Sequence, residues 1–254
     1  MVIGWSERKM AGASAWALVE ATQRQVQLPC LLVPQPAHAV LAGELAAGLL
    51  PAAFGALPPE IVRAIQMHDT GWAASDAQQI QRLRAGPQAN QAAPISFIAI
   101  APDEMIEAWT ASVDSVEALS KAGAIVVSRH FSLLAQNHPA HQRFVQSEKA
   151  RQRRLAGSAP PAADLDRWTA ALGFCDLVSL YLLTGLSREV SFPLAHPSSP
   201  QAATAPRVNL QFDGRSLRFT PQTVHAGCAL TIQALKHPVP AQGPRAETLA
   251  WDVR

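Results

Sequence analysis

The stretch Met67-His68-Asp69-Thr70-Gly71-Trp72 constrains the chain more than any other, because it sets an adjacent histidine and aspartate inside an apolar helical pattern. Pro58-Pro59-Glu60 opens that pattern, with proline suited to a first helical turn and a carboxylate suited to the positive end of the helix dipole. Ile61, Ile65, His68 and Trp72 then recur at spacings of four, three and four, one face of a helix with 3.6 residues per turn. The pattern predicts that His68 is buried, that Asp69 lies about 100° to its side, and that the helix ends near Gly71. Burying an imidazole beside a carboxylate is costly unless something pairs them. A metal ion is one such partner.

Three other stretches repeat the arrangement. His38 heads a stripe continued by Leu41, Leu45 and Leu49, in a helix expected to start near Ala37 after the short apolar run Leu31-Leu32-Val33. His130 falls in register with Leu119, Ala122, Val126 and Leu133. Asp176 sits among Leu165, Trp168, Leu172, Ser179 and Leu183, in a helix for which Asp164 is the expected N-cap. Unpaired carboxylates are almost never fully buried, so an aspartate in an apolar stripe calls for a cation or a donor. One such residue is an ordinary packed side chain. Four helices each turning a ligand type inward is how helical proteins build metal sites, and imidazole with carboxylate suits Fe, Mn, Zn, Co or Ni.

Composition narrows the class. Of 254 residues, 48% are hydrophobic and 16% charged, which supports a substantial core. A formal net charge of +2 gives no reason to expect nucleic acid as a partner. Cys30, Cys175 and Cys228 form neither a disulfide framework nor a paired zinc motif, which suits a reducing compartment. Arg8 and Lys9 precede a weakly apolar stretch interrupted by Glu20, a poor signal peptide, and no run of about 18 apolar residues exists. The expectation is a cytoplasmic protein with no membrane partner.

Along the chain, residues 1–30 read as an N-terminal extension with a short helix from Ala13 to Gln25. Residues 31–189 read as the helical body. Within it, residues 73–112, broken by Gly86, Pro87, Pro94 and Pro102, read as a long irregular excursion. Gln142 to Leu155 is a charged helix carrying Arg151 and Arg154. It is either a solvated face or a site for an anionic substrate. Residues 190–254 read as a loop-rich segment: Val208–Phe212, a turn at Asp213-Gly214, a return through Leu217–Phe219, and a further strand near Leu230–Leu235. The expected fold is mainly α, a helical bundle with a small C-terminal β appendage. His225 and His237 in that appendage are expected to be surface or structural residues.

The order His, His-Asp, Asp resembles the HD-domain superfamily of metal-dependent phosphohydrolases. The stretches QPAHAVLAGELA, MHDTGW, VSRHFSLLA and FCDLVSLYL look closest to a bacterial HD-like family named only as a domain of unknown function, over roughly residues 31–235. The resemblance implies that His38, His68, Asp69 and Asp176 are metal ligands. It also implies that His130 matches an extra histidine found where two metals bind, with Asp69 then the bridge. The chain departs from the two-metal oxygenase pattern in having no histidine in residues 70–129, and Thr70 follows the His-Asp pair where several hydrolase branches keep a basic residue nearby. The expected function is a metal-dependent hydrolase acting on a phosphoester or another small anionic substrate. Asp69, His130 and Arg129 are its expected catalytic residues, and Arg129 or the Arg151 cluster neutralises charge. The alternatives are an HD-type iron oxygenase and a non-enzymatic metal- or ligand-binding module.

Overall fold

A computed structural model of the chain describes residues 1–4, 14–26, 28–84, 92–184, 188–239 and 246–254. Arg8, Lys9, Gly86 and Pro87 lie outside them. The elements are β1 (Val2–Gly4), α1 (Ala15–Arg24), β2 (Cys30–Val33), α2 (Gln35–Ala47), α3 (Pro51–Phe54) and α4 (Pro59–Met67), then α5 (Ala73–Arg84), α6 (Pro102–Glu117), α7 (Lys121–Ala135), α8 (Gln142–Leu155) and α9 (Ala162–Leu182). Strands β3 (Arg188–Pro193), β4 (Arg207–Phe212), β5 (Ser216–Thr220), β6 (Ala229–His237) and β7 (Ala246–Val253) complete them.

The expected helical bundle with a small β appendage is not what forms. Among the described residues, seven strands build one curled sheet in the order β1-β2-β6-β7-β5-β4-β3, a sizeable part of the protein. All neighbours pair antiparallel except β5 and β7, which run parallel. The physical reason is long-range pairing. Cys30 lies opposite His237 and Leu32 opposite Leu235, so strands from the two ends of the chain lie side by side. Strand β2, four residues long, is too short to announce its place in a sheet alone. The segment read as an N-terminal extension supplies β1, and its Met1, Val2 and Ile3 are buried.

The strands alternate as a half-buried sheet requires: Val208, Leu210 and Phe212 of β4 face inward while the residues between them face solvent. That inner face packs on α2 and α9. Phe174 of α9 meets Phe192 of β3 and Phe219 of β5, with ring centroids 6.0 and 6.4 Å apart. Glu44 of α2 accepts a hydrogen bond from the Thr231 N–H of β6 at 3.1 Å.

The helical reading needs four local corrections. Residues 73–84 form α5 and 102–117 form α6, where an irregular excursion was expected. The glutamines of α5 leave it no continuous apolar stripe. Leu119 is 65% exposed and precedes the Ser120 N-cap of α7, outside the helix it was assigned to. Pro161, not Asp164, caps α9, and Asp164 pairs instead with Arg167. Finally, α4 stops at Met67, with His68 as its C-cap and a 3-10 turn over Thr70–Trp72.

Two glycines permit the close packing that carries this turn. A Cβ on Gly43 of α2 would lie 2.6 Å from the Cβ of Gln66 in α4. A Cβ on Gly71 would run into the carbonyl oxygen of Ala108 and lie 2.8 Å from the Ser112 backbone nitrogen, both in α6. The Gly71 N–H donates to Ser112 Oγ at 2.9 Å. Backbone cannot yield as a side-chain tip can. Gly71→Ala should therefore destabilise the protein by about 3 kcal/mol, the upper end of overpacking costs, read as a lower denaturant midpoint. An unchanged midpoint would contradict the close approach.

Candidate metal centre

Four elements bring the predicted ligands together. His38 lies in the first turn of α2, His68 and Asp69 at the end of α4, His130 midway along α7 and Asp176 on α9. His38, His68, Asp69 and His130 are buried, and Asp176, its side chain 14% exposed, is partly buried. The His38 and His68 rings meet edge to face at 5.2 Å, and His68 and His130 at 5.6 Å.

Hydrogen bonds define which ring nitrogens face the centre. His38 Nδ1 donates to the Gln35 carbonyl and His68 Nδ1 to the Ile65 carbonyl, each at 2.8 Å. Carbonyls only accept, so both Nδ1 atoms carry a proton. Each Nε2 then faces carboxylate oxygen. His38 Nε2 is 3.0 Å from Asp176 Oδ1, while His68 Nε2 is 3.5 Å from that oxygen and 3.5 Å from Asp69 Oδ2. His68 Nε2 is buried without a hydrogen bond. Two lone pairs at such separations repel unless a proton or a cation lies between them.

The arrangement fits a metal ion. Ligands about 2.1 Å from one ion, at tetrahedral or octahedral angles, lie about 3.0–3.4 Å apart, close to the spacings here. Donor atoms of His38, His68 and Asp69 all lie within 4.8 Å of one another, as do those of His68, His130 and Asp176. Backbone carbonyls holding Nδ1–H are the supports that orient metal-binding imidazoles. A centre of neutral imidazole and carboxylate suits a divalent transition metal.

Charge within the cluster shows the same need. Burial disfavours the His68 cation, but the Asp69 charge and the contact with Asp176 overcome it and raise its pKa to about 9. Burial raises the Asp69 pKa. Burial opposes the Asp176 carboxylate too, but the hydrogen bond with His38 and the close His68 ring hold its pKa well below the usual range.

Neither expected cationic helper reaches the centre. Arg129 pairs with Asp166 at 2.8 Å, in a separate cleft. Arg151 binds Asp114, Glu117 and Glu148 at 2.6, 2.7 and 3.2 Å, and Arg154 binds Glu117. The Arg151 helix face is thus an ion-pair network.

The centre opens into a cavity of about 560 Å³ walled by Trp72, Trp109, Phe131, Leu177 and Leu180. Arg24, its single arginine or lysine among the described residues, is paired with Glu20. Periodicity missed three histidines on this lining: His138, His141 and His196. His141 is buried with neither ring nitrogen hydrogen-bonded. His196 lies between β3 and β4, with its Nε2 2.8 Å from His130 Nδ1. Its only signal in the sequence is a histidine before Pro197 in a loop-rich passage. It packs on Gly173 of α9, where a Cβ would come within 2.6 Å of its ring. His225 is exposed, and buried His237 donates from Nε2 to the Ala92 carbonyl at 2.9 Å, as expected of residues outside the site.

The fold and centre define a protein of helices packed on one largely antiparallel, curled sheet, with a His/Asp cluster beneath an aromatic cavity. Residues 22–231 match the family described as "Protein of unknown function (DUF3891)", and the chain belongs to that family. No curated protein and no solved structure matches it.

The cluster sets opposing pH dependences in the metal-free protein. Folded His68 keeps its proton up to about pH 9, whereas the unfolded chain releases it near 6.5. That stability is fully present below pH 6.5 and is lost as pH rises toward 9. Burial depresses His196 to about 4, so the unfolded chain takes up a proton near 6.5 that the folded chain refuses, and stability falls as pH drops through that window. With chelator present, the unfolding midpoint should peak near pH 6.5 and fall on both sides. A midpoint that climbs between pH 6.5 and 9 would contradict the protonated His68.

Proposed function

We propose that the chain is a metal-dependent hydrolase of the HD type, acting on a phosphoester or another small anionic substrate that carries an apolar body. The observation behind this is the pair of buried imidazoles whose Nδ1 protons are spent on backbone carbonyls while both Nε2 atoms face carboxylates. In this reading His38, His68, Asp69 and Asp176 hold one divalent ion. Such an ion, when bound, supplies Lewis acidity and a water acidified from about 15.7 toward 7.

The remaining steps belong to the chain. Asp69 and Asp176 would neutralise the ion's charge, and Asp69, the carboxylate whose pKa burial raises, would accept a proton from the reacting centre. Trp72, Trp109 and Phe131 bind the apolar part of the substrate and exclude bulk water. Arg129 and Arg151, already paired elsewhere, have no part in this mechanism. The substrate's negative charge then has to sit at the ion itself, which favours one small charged group on a larger neutral body.

The test is metal analysis of the purified protein beside aryl and alkyl phosphoester assays with Mn²⁺, Fe²⁺ and Zn²⁺. Metal-dependent turnover should appear. Asp176→Ala should lose the ion and reduce kcat/KM by more than roughly 100-fold, since losing even a supporting partner of a metal ligand costs about 10–100-fold. Its unfolding midpoint in chelator should change little. Normal metal content in that variant, or an oxygen-dependent product with no hydrolysis, would contradict the proposal.

A further inference from the structure

His130 is the one member of the cluster whose Nδ1 does not meet a carbonyl. It meets a second imidazole, so its tautomer depends on the proton of His196, and a backbone contact decides where that proton is. The Ser198 N–H donates to His196 Nδ1 at 3.2 Å. A nitrogen that accepts an N–H carries no proton of its own. His196 is buried and its pKa is pulled down to about 4, so its ring is neutral and its single proton is on Nε2. That Nε2–H lies 2.8 Å from His130 Nδ1 and donates to it. The same logic passes along the chain. The His130 Nδ1 accepts from His196, so the proton of the His130 ring is on Nε2. This Nε2 faces Asp176 Oδ2 at 3.6 Å.

His130 therefore presents an N–H to the centre through a fixed tautomer, whereas His38 and His68, whose Nδ1 protons are held by carbonyls, turn Nε2 toward carboxylates and can give up any proton there to an ion. An N–H cannot ligate a metal. We propose that His196 fixes His130 as the Nε2–H tautomer, which makes His130 a positioning residue for Asp176 rather than a ligand of a second ion. Asp176 then has separate duties for its two oxygens: Oδ1 faces His38 and His68, and Oδ2 faces His130. Ligating carboxylates are commonly held from behind in this way. The positioning role rests on the proposed metal site, but the tautomer assignment does not. It also replaces the expectation, drawn from the resemblance, that His130 serves a second metal.

Long-range proton–nitrogen correlation spectra of the full chain labelled with ¹⁵N-histidine read tautomers directly. Without metal and with Zn²⁺, wild-type His130 and His196 should both show the proton on Nε2. Zinc titration should give one tight ion per chain. His196→Leu should abolish the His130 preference for Nε2–H and weaken zinc binding by about 10–100-fold. His196→Gln, which keeps an N–H donor, should restore most of both. His130→Ala should still bind one ion. His130 with its proton on Nδ1, or its Nε2 bound to zinc, in the wild type would overturn the proposal, as would two tight ions of which His130→Ala loses one. Failure of the wild type to bind zinc would defeat the proposed metal site and the positioning role, while the metal-free spectrum still judges the tautomer by itself.

Discussion

Two imidazole nitrogens facing two carboxylates inside the protein are the contact on which the rest depends. With Nδ1 protons committed to the Gln35 and Ile65 carbonyls, His38 and His68 turn Nε2 toward Asp176 and Asp69. Removing such groups from water is expensive unless a cation or proton holds them together. The surrounding fold is arranged to hold them in place. Helices α2 and α4 approach to the limit that Gly43 allows, and the turn after Asp69 is seated on α6 at the limit that Gly71 allows.

The sheet is part of this construction rather than an addition to it. Its inner face carries α2 and α9, the helices that deliver His38 and Asp176, and the segment leaving β3 carries His196 to Gly173. Opposite, aromatic side chains wall the cavity. Arginines expected to serve the site are bound to carboxylates elsewhere, so the chemistry proposed here draws its positive charge from the ion.

Most of the cluster was legible in the sequence because its members ride on apolar helical stripes. His38 before Leu41 and Leu45, His68 after Ile61 and Ile65, and Asp176 after Leu172 each stand where a hydrophobic residue was due, and the structure gathers them and buries the two histidines. His196 was not legible, since it reaches the site from a loop, where no period applies. The sheet escaped for a related reason. Alternation in Val208–Phe212 marks a strand locally, but nothing local says that Cys30–Val33 lies beside residues more than two hundred positions later. Helix α5 was missed because its glutamine-rich sequence has weak periodicity. The role of Arg129 was inferred from its place beside His130, yet neighbouring residues on a helix point about 100° apart, and its partner is Asp166.

The most direct test of the central claim is X-ray absorption at the zinc edge of the zinc-loaded protein. The account predicts a first shell of nitrogen and oxygen at about 2.0–2.2 Å, multiple scattering from two imidazoles, and no second metal nearby. A shell of water oxygens without imidazole scattering would show that the buried histidines and aspartates do not hold the ion, and the account would fail.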